Sequence, residues 1–451
     1  MGFTSLIFLI FFPTVYLVYL LMPPKGRACW LLIASYGFCA SFGLRYALLL
    51  LLSTLGTWLA AIAVEKKLGS AKGRWIMGGA VLLHVLLLCY FKYDYRNPVL
   101  PVGLSFYTFQ AIGYLADVYR GAVAAERNVI RFGLFQAFFP KLVQGPIERS
   151  HSLLDQIGEL EKKELLEPQR IREGLLLLLW GLFQKLVIAD RIAIPVNGVY
   201  GQFGAFGGVE ILLATLLYAF QIYCDFAGYT SMARGIASLC GIELMENFRR
   251  PYLSLSVREF WHRWHISLSS WLRDYVYIPL GGSRRGRLRK YVNVMLTFLV
   301  SGIWHGTGFH FLLWGCMHGG AQLVETAWER FPKLVRWCLT FVFINGSWMV
   351  FRVNSLGDLK EMLKILVTDF RLRDPAGMGL GTLEWLIVLF GIFLVTGKDI
   401  LNERGMGTQG WLARQGFFLR LLAYTALLSG IVIFGVYGAA YDTSGFLYTQ
   451  F

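Results

Sequence analysis

Several stretches of this 451-residue chain are continuously apolar for longer than the ~18 to 20 residues that cross a ~30 Å hydrocarbon core. In lipid only helices and closed barrels satisfy their own backbone groups. A barrel would show short alternating segments, whereas these runs are solidly apolar, so the chain is expected to be a helical integral membrane protein. Composition agrees: 16% of residues are charged and 56% hydrophobic, against roughly 25% charged in soluble domains. Candidate spans lie near 2–22, 28–43, 46–64, 75–91, 99–117, 172–193, 209–233, 291–316, 336–351, 383–398 and 416–440, giving about eleven crossings. A shorter run near 130–144 is expected as a partial or re-entrant segment. The first run has no basic n-region and no small-residue cleavage site, so it is expected to stay as a helix. Neither a soluble domain nor an internal repeat stands out, which argues against the inverted-repeat plan of many transporters.

The net charge of +15 comes from 43 Lys and Arg against 28 Asp and Glu. In a membrane chain such an excess marks cytoplasmic loops, and no nucleic-acid partner is expected. Lys25 and Arg27, the group Lys66, Lys67, Lys72 and Arg74, and the group Lys398, Arg404, Arg414 and Arg420 all fall inside if both termini lie outside. The seven cysteines are scattered, with no C-x-x-C, and imply neither a disulfide framework nor a metal site.

Residues 243–290 differ in texture from the rest. They include REFWHRWHISLSSWLRDYVYIPLGGSRRGRLRK, too polar to cross a bilayer yet dense in aromatics. The pattern is that of an amphipathic helix lying in the interface, with Arg284, Arg285, Arg287, Arg289 and Lys290 marking the cytoplasmic side.

Among seven histidines the close spacings are His262/His265 and His305/His310. The first pair would share one helix face. Neither pair has carboxylates in ligand register, so no metal centre is expected. His305 sits in FLVSGIWHGTGFHFLLWGCMHG, polar in an otherwise apolar run. An ionisable side chain at membrane depth is costly and marks function by default. Imidazole is also the group suited to take a proton from a hydroxyl near neutral pH. The competing reading is a structural histidine bonded to a neighbouring helix. Gln144 and Asp225 are further intramembrane polar groups, more readily explained as bundle-stabilising bonds.

The run REFWHRWHISLSSWLRDYVYIPLGG, followed by GIWHG and LLWGCMHG, resembles the bacterial polysaccharide branch of the membrane-bound O-acyltransferases. Within that branch it is most similar to alginate O-acetylation subunits, then to teichoic-acid D-alanylation subunits. LPVGLSFYTFQAIGYLADVYRG, FFPKLVQGPIER, YAFQIYCDFAGYTSMARGIA and ENFRRPYL also resemble it, in the same order, so the likeness covers nearly the whole chain. One departure is His262, where the family pattern has arginine.

The resemblance implies an all-α polytopic membrane protein. About eleven transmembrane helices, with interfacial and re-entrant helices, would surround a central funnel. Residues 1–451 would form a single membrane domain, with 243–290 interfacial and 441–451 an extracytoplasmic tail. It implies His305 as the catalytic histidine and His265 as its assistant, with Asp225, Gln144, Trp304 and Asp274 as polar funnel candidates. The donor, acetyl-CoA or an acyl-phosphopantetheine carrier, would dock near Arg284, Arg285, Arg287 and Arg289, and no bound cofactor is implied. The ending Phe446-Leu447-Tyr448-Thr449-Gln450-Phe451 resembles the F-x-Y-x-x-F tail of these systems, with Tyr448 a candidate acyl relay. The expected partner is an extracytoplasmic serine-type acyltransferase, at the bacterial cytoplasmic membrane. D-alanyl transfer to teichoic acid and, in a different class, a transporter are the alternatives.

Overall fold

The computed structural model describes residues 1–93 and 100–437. Among these every regular element is helical. The chain divides into two compact units. One comprises Met1–Leu178 with Tyr229–Glu246; the other comprises Leu179–Gly228 and the chain from Asn247 onward.

The first unit holds α1 (Leu6–Leu21), α2 (Arg27–Ala40), α3 (Leu44–Glu65), α4 (Ala71–Tyr93), α5 (Leu104–Tyr119), α6 (Val129–Ala137), α7 (Phe139–Leu142), α8 (Ser150–Gly158) and most of α9 (Pro168–Leu182). Starts are set by local chemistry. The Ser5 hydroxyl accepts the Phe8 N–H at 3.2 Å, and Asn128 Oδ1 accepts those of Ile130 and Arg131 at 2.9 and 3.2 Å, each satisfying an orphan donor of a first turn. The run at 130–144 is not one helix. Phe138 turns extended at ψ 108, and Pro140 then sits in the first turn of α7, where its missing N–H costs nothing. Gly103 has φ +73, and a Cβ there would lie 2.3 Å from the Leu142 carbonyl oxygen, so only glycine lets α5 start against α7. The buried Lys141 ammonium donates to Gln110 Oε1 and to the Gln136 carbonyl, and Thr57 Oγ1 meets His84 Nε2 at 2.9 Å, tying α3 to α4.

In the second unit the chain leaves α9 through a π-helical stretch, Phe183–Ala189, into α10 (Asp190–Gly201). Then follow α11 (Gly208–Leu239, its last part in the first unit), α12 (Val257–Arg263), α13 (Ile266–Leu272), a second π-helical turn (Arg273–Tyr277), α14 (Arg287–His305), α15 (Phe309–Val324), α16 (Lys333–Arg352), α17 (Leu356–Thr368), α18 (Thr382–Glu403), α19 (Thr408–Ala413) and α20 (Phe417–Phe434). Five described helices, α3, α4, α11, α16 and α20, are long and apolar enough to cross a membrane. Their surroundings differ: the apolar window of α11 is 78% buried in protein and that of α20 only 6%. On α20 the side chains of Phe418, Leu422 and Ile433 are exposed, an apolar face that suits lipid and not water.

Two expectations are corrected. The span expected over 291–316 is two helices, because the chain turns extended at Gly306 directly after His305 and restarts at Gly308. The resulting hairpin packs backbone to backbone. A Cβ at Gly302 would lie 2.4 Å from the Phe311 carbonyl oxygen, and one at Gly315 would lie 2.5 Å from that of Phe298. The interfacial segment is likewise not one amphipathic helix. It breaks between α12 and α13, so His262 and His265 do not share a helix face: His262 is exposed and His265 buried.

Candidate active site

His305 is the last residue of α14 and is 2% exposed. Its ring stands edge-on to three aromatic rings: Trp304 at 4.7 Å, Trp314 of α15 at 5.0 Å and Phe351 of α16 at 5.1 Å. The glycine-packed hairpin fixes Trp314 relative to His305. Immediately beyond, Gly306 and Gly308 are half-buried and Thr307 is exposed, so the chain next to the imidazole reaches the surface within two residues.

His265 owes its position to backbone strain. It and Arg250 are the non-glycine residues with positive φ, +44 and +52, among those described. Left-handed backbone costs such residues roughly 1–2 kcal/mol, and the strain is held by a short antiparallel pairing. Phe248 bridges Trp264, the Arg249 N–H donates to the Arg263 carbonyl at 2.8 Å, and the Ile266 N–H donates to the Asn247 carbonyl at 3.0 Å. Asn247 Oδ1 then accepts the Ser267 N–H at 3.1 Å, which caps the start of α13. Ser267 Oγ and His265 Nδ1 are 3.5 Å apart, and the Phe226 ring lies edge-on at 4.7 Å. Burial pushes the His265 imidazole down to about 3, so it is neutral at any working pH. Strain over-determined in this way is a marker of functional positions. An aromatic wall leads from here to His305: Trp264 to Trp348 at 5.0 Å, Trp348 to Phe351 at 5.6 Å, Phe351 to His305 at 5.1 Å.

A cavity of ≈ 330 Å³ opens between α12, α13 and α14, lined by Arg258, Trp261, His262, Arg273, Lys290, Val294, Phe298 and Ser301 among others. Lys290, Val294, Thr297, Phe298 and Ser301 follow one another at helical spacing along a single face of α14, and His305 is the next position on that stripe. The cavity therefore stops one helical turn short of His305. Its Trp261 wall is anchored, because the indole N–H donates to His318 Nδ1 at 3.1 Å.

The remaining expected residues scatter. Trp304 touches the His305 ring. Asp225 is spent in an ion pair with Lys185 at 2.6 Å, and Asp190 holds the same ammonium at 2.8 Å. Asp274 pairs with Arg273 at 2.8 Å. Gln144 is buried in the first unit. Arg284, Arg285, Arg287 and Arg289 are exposed and outside the cavity lining. Phe446, Tyr448 and Phe451 lie outside the described residues. Among the described residues no three His, Cys, Asp or Glu side chains gather as a metal set.

Sequence reasoning missed Trp314, Phe351 and the bonds of His318, and it placed Lys290 in the basic cluster without foreseeing its place in the cavity wall. The α14 stripe from Lys290 to His305 was readable as an i, i+4 pattern. Trp314 and Phe351 carry no such signal, because their relation to His305 depends on how separate helices pack.

An all-helical chain with apolar, lipid-suited faces defines a membrane protein. Residues 123–355, about half of the chain, match the profile of MBOAT, the membrane-bound O-acyltransferase family. The chain is 37% identical over 388 residues to the probable alginate O-acetylase AlgI of Pseudomonas putida, covering 79% of this chain and 78% of that protein. It is 32% identical over 418 residues to the peptidoglycan O-acetyltransferase of Helicobacter pylori, covering 81% and 79%. With the teichoic acid D-alanyltransferase of Streptococcus thermophilus it shares 29% identity over 246 residues, 52% of this chain and 59% of that one. The chain belongs to the membrane-bound O-acyltransferase family and is an O-acyltransferase of the membrane. The transporter alternative falls with that membership.

Proposed function

We propose that this chain takes an acyl group, acetyl by preference, from a cytoplasmic thioester and delivers it to a hydroxyl for O-acylation of a cell-envelope polysaccharide. The observation that carries the reading is the cavity running along α14 from Lys290 to Ser301, one turn from His305. The basic end of α14 marks the cytoplasmic mouth. In the reaction His305 takes the proton of the acceptor hydroxyl, whose oxygen attacks the thioester carbonyl. The C–S bond breaks, the proton held on His305 passes to the departing sulfur, and the free thiol leaves to the cytoplasm with His305 neutral again. A positioned base of this kind contributes about 100- to 10,000-fold. His265, neutral and held by strain, supports the aromatic wall behind the site. Acetyl is favoured over D-alanyl because the relatives matched along most of their length are named O-acetylases.

Tyr448, in a tail resembling that of related systems, is the proposed acyl carrier on the outer face of the bacterial cytoplasmic membrane, with both termini outside. It would hand the acetyl group to an extracytoplasmic serine-type acyltransferase. Mass spectrometry of the C-terminal peptide tests this after membranes are incubated with labelled acetyl-CoA. Label on Tyr448 in the wild type, lost in Tyr448→Phe, is the expected result; unchanged polymer acetylation in Tyr448→Phe would remove the relay.

A further inference from the structure

The cavity wall carries more positive groups than it neutralises, and ion pairing sorts them. Arg258 holds Glu325 at 3.2 Å, and Arg273 holds Asp274 at 2.8 Å. For His262 and Lys290, which line the same cavity, no carboxylate stands within ion-pair distance among the described residues. They come from different elements, the last turn of α12 and the first turn of α14.

We propose that His262 and Lys290 form a phosphate clamp at the cavity mouth. They would recognise the donor as a phosphate-bearing thioester, in place of the Arg284–Arg289 cluster. This rests on the thioester reading of the cavity given above. The lining supports it by its order. His262 is exposed and Lys290 half-buried at the mouth; Val294 and Phe298 follow along α14; Ser301 is buried at the far end. A ligand matching that order has an anionic head, an uncharged arm and its reactive end nearest His305. The lysine ammonium has three donors and no acceptor, and an imidazole donates at least one N–H in either protonation state, so both suit phosphate oxygens. Arg284, Arg285, Arg287 and Arg289 are exposed and lie outside this lining, where salt screens their pull on a ligand held in the cavity.

The test compares two acetyl donors on the purified full chain: acetyl-CoA, which carries phosphates, and S-acetylpantetheine, which carries none. His262→Ala and Lys290→Ala are each expected to raise KM for acetyl-CoA by about tenfold or more, the scale of one lost charge-assisted hydrogen bond. Their KM for S-acetylpantetheine should stay at the wild-type value, which also reports an intact fold. His262→Arg should restore acetyl-CoA affinity. Replacing the four arginines with alanine should raise KM for acetyl-CoA less than Lys290→Ala does. Equal losses on both donors, or a larger loss from the arginine cluster, would overturn the clamp alone. No transfer from either thioester by the wild type would overturn the donor reading and the clamp with it.

Discussion

His305 and His318 touch the same indole, Trp314, at 5.0 and 4.8 Å, and both are buried, yet their chemistry differs. At His318 every proton is assigned. The Trp261 N–H can only donate, so Nδ1 accepts; Nε2 then carries the hydrogen and faces Ser347 Oγ at 3.1 Å, whose own hydrogen goes to the Ile344 carbonyl at 2.8 Å. A ring bonded at both nitrogens to fixed protein groups has no lone pair left for a substrate. The His305 ring stands edge-on to Trp304, Trp314 and Phe351, where a helix ends and the chain comes to the surface at Thr307. Burial by itself therefore does not tell the two rings apart; their places in the fold do.

Substitution can break that contrast. His305→Ala should lower acetyl transfer by about 100- to 10,000-fold with the protein still in the membrane at wild-type level. Retained turnover would mean the two histidines are alike. His265→Asn comes next, because asparagine tolerates the left-handed backbone. Turnover should fall about tenfold, on the scale of a lost supporting contact, while thermal stability in detergent holds. A fall in stability with unchanged turnover would make His265 a fold element only. The smallest catalytic effect is expected from His318→Ala, which strands the buried Trp261 N–H at a cost of about 1–3 kcal/mol. That variant should melt earlier and keep its kcat; a kcat loss matching that of His305→Ala would assign both rings to chemistry.

Much of this was legible before any fold. The apolar runs near 46–64, 75–91, 209–233, 336–351 and 416–440 correspond to the five helices long and apolar enough to span, since runs of that length leave lipid as their only economical surroundings. His305 was legible because an ionisable group in such a run is conspicuous. The break at Gly306 was hidden, since glycine is tolerated inside apolar helices and only the close approach of α14 to α15 shows why it is needed. The α12–α13 break was hidden for a related reason: apolar periodicity continues across Trp264 and His265, and the pairing that bends the chain comes from Asn247–Arg249, a segment with no pattern of its own.

On the donor side the arginine cluster and the proposed clamp differ in an instructive way. Clustered arginines are conspicuous in one dimension, but whether a charge is available to a ligand depends on which carboxylates fold against it. Arg258 and Arg273 are matched, and Arg284, Arg285, Arg287 and Arg289 are exposed and outside the cavity lining. By itself the sequence determined that this chain is helical and belongs in a membrane. Those are properties of runs, summed along the chain. Tertiary structure alone decided which rings surround each histidine, where the cavity runs, and which basic side chains in its wall lack a carboxylate partner among the described residues. Each of those depends on atoms far apart in sequence arriving within a few ångströms.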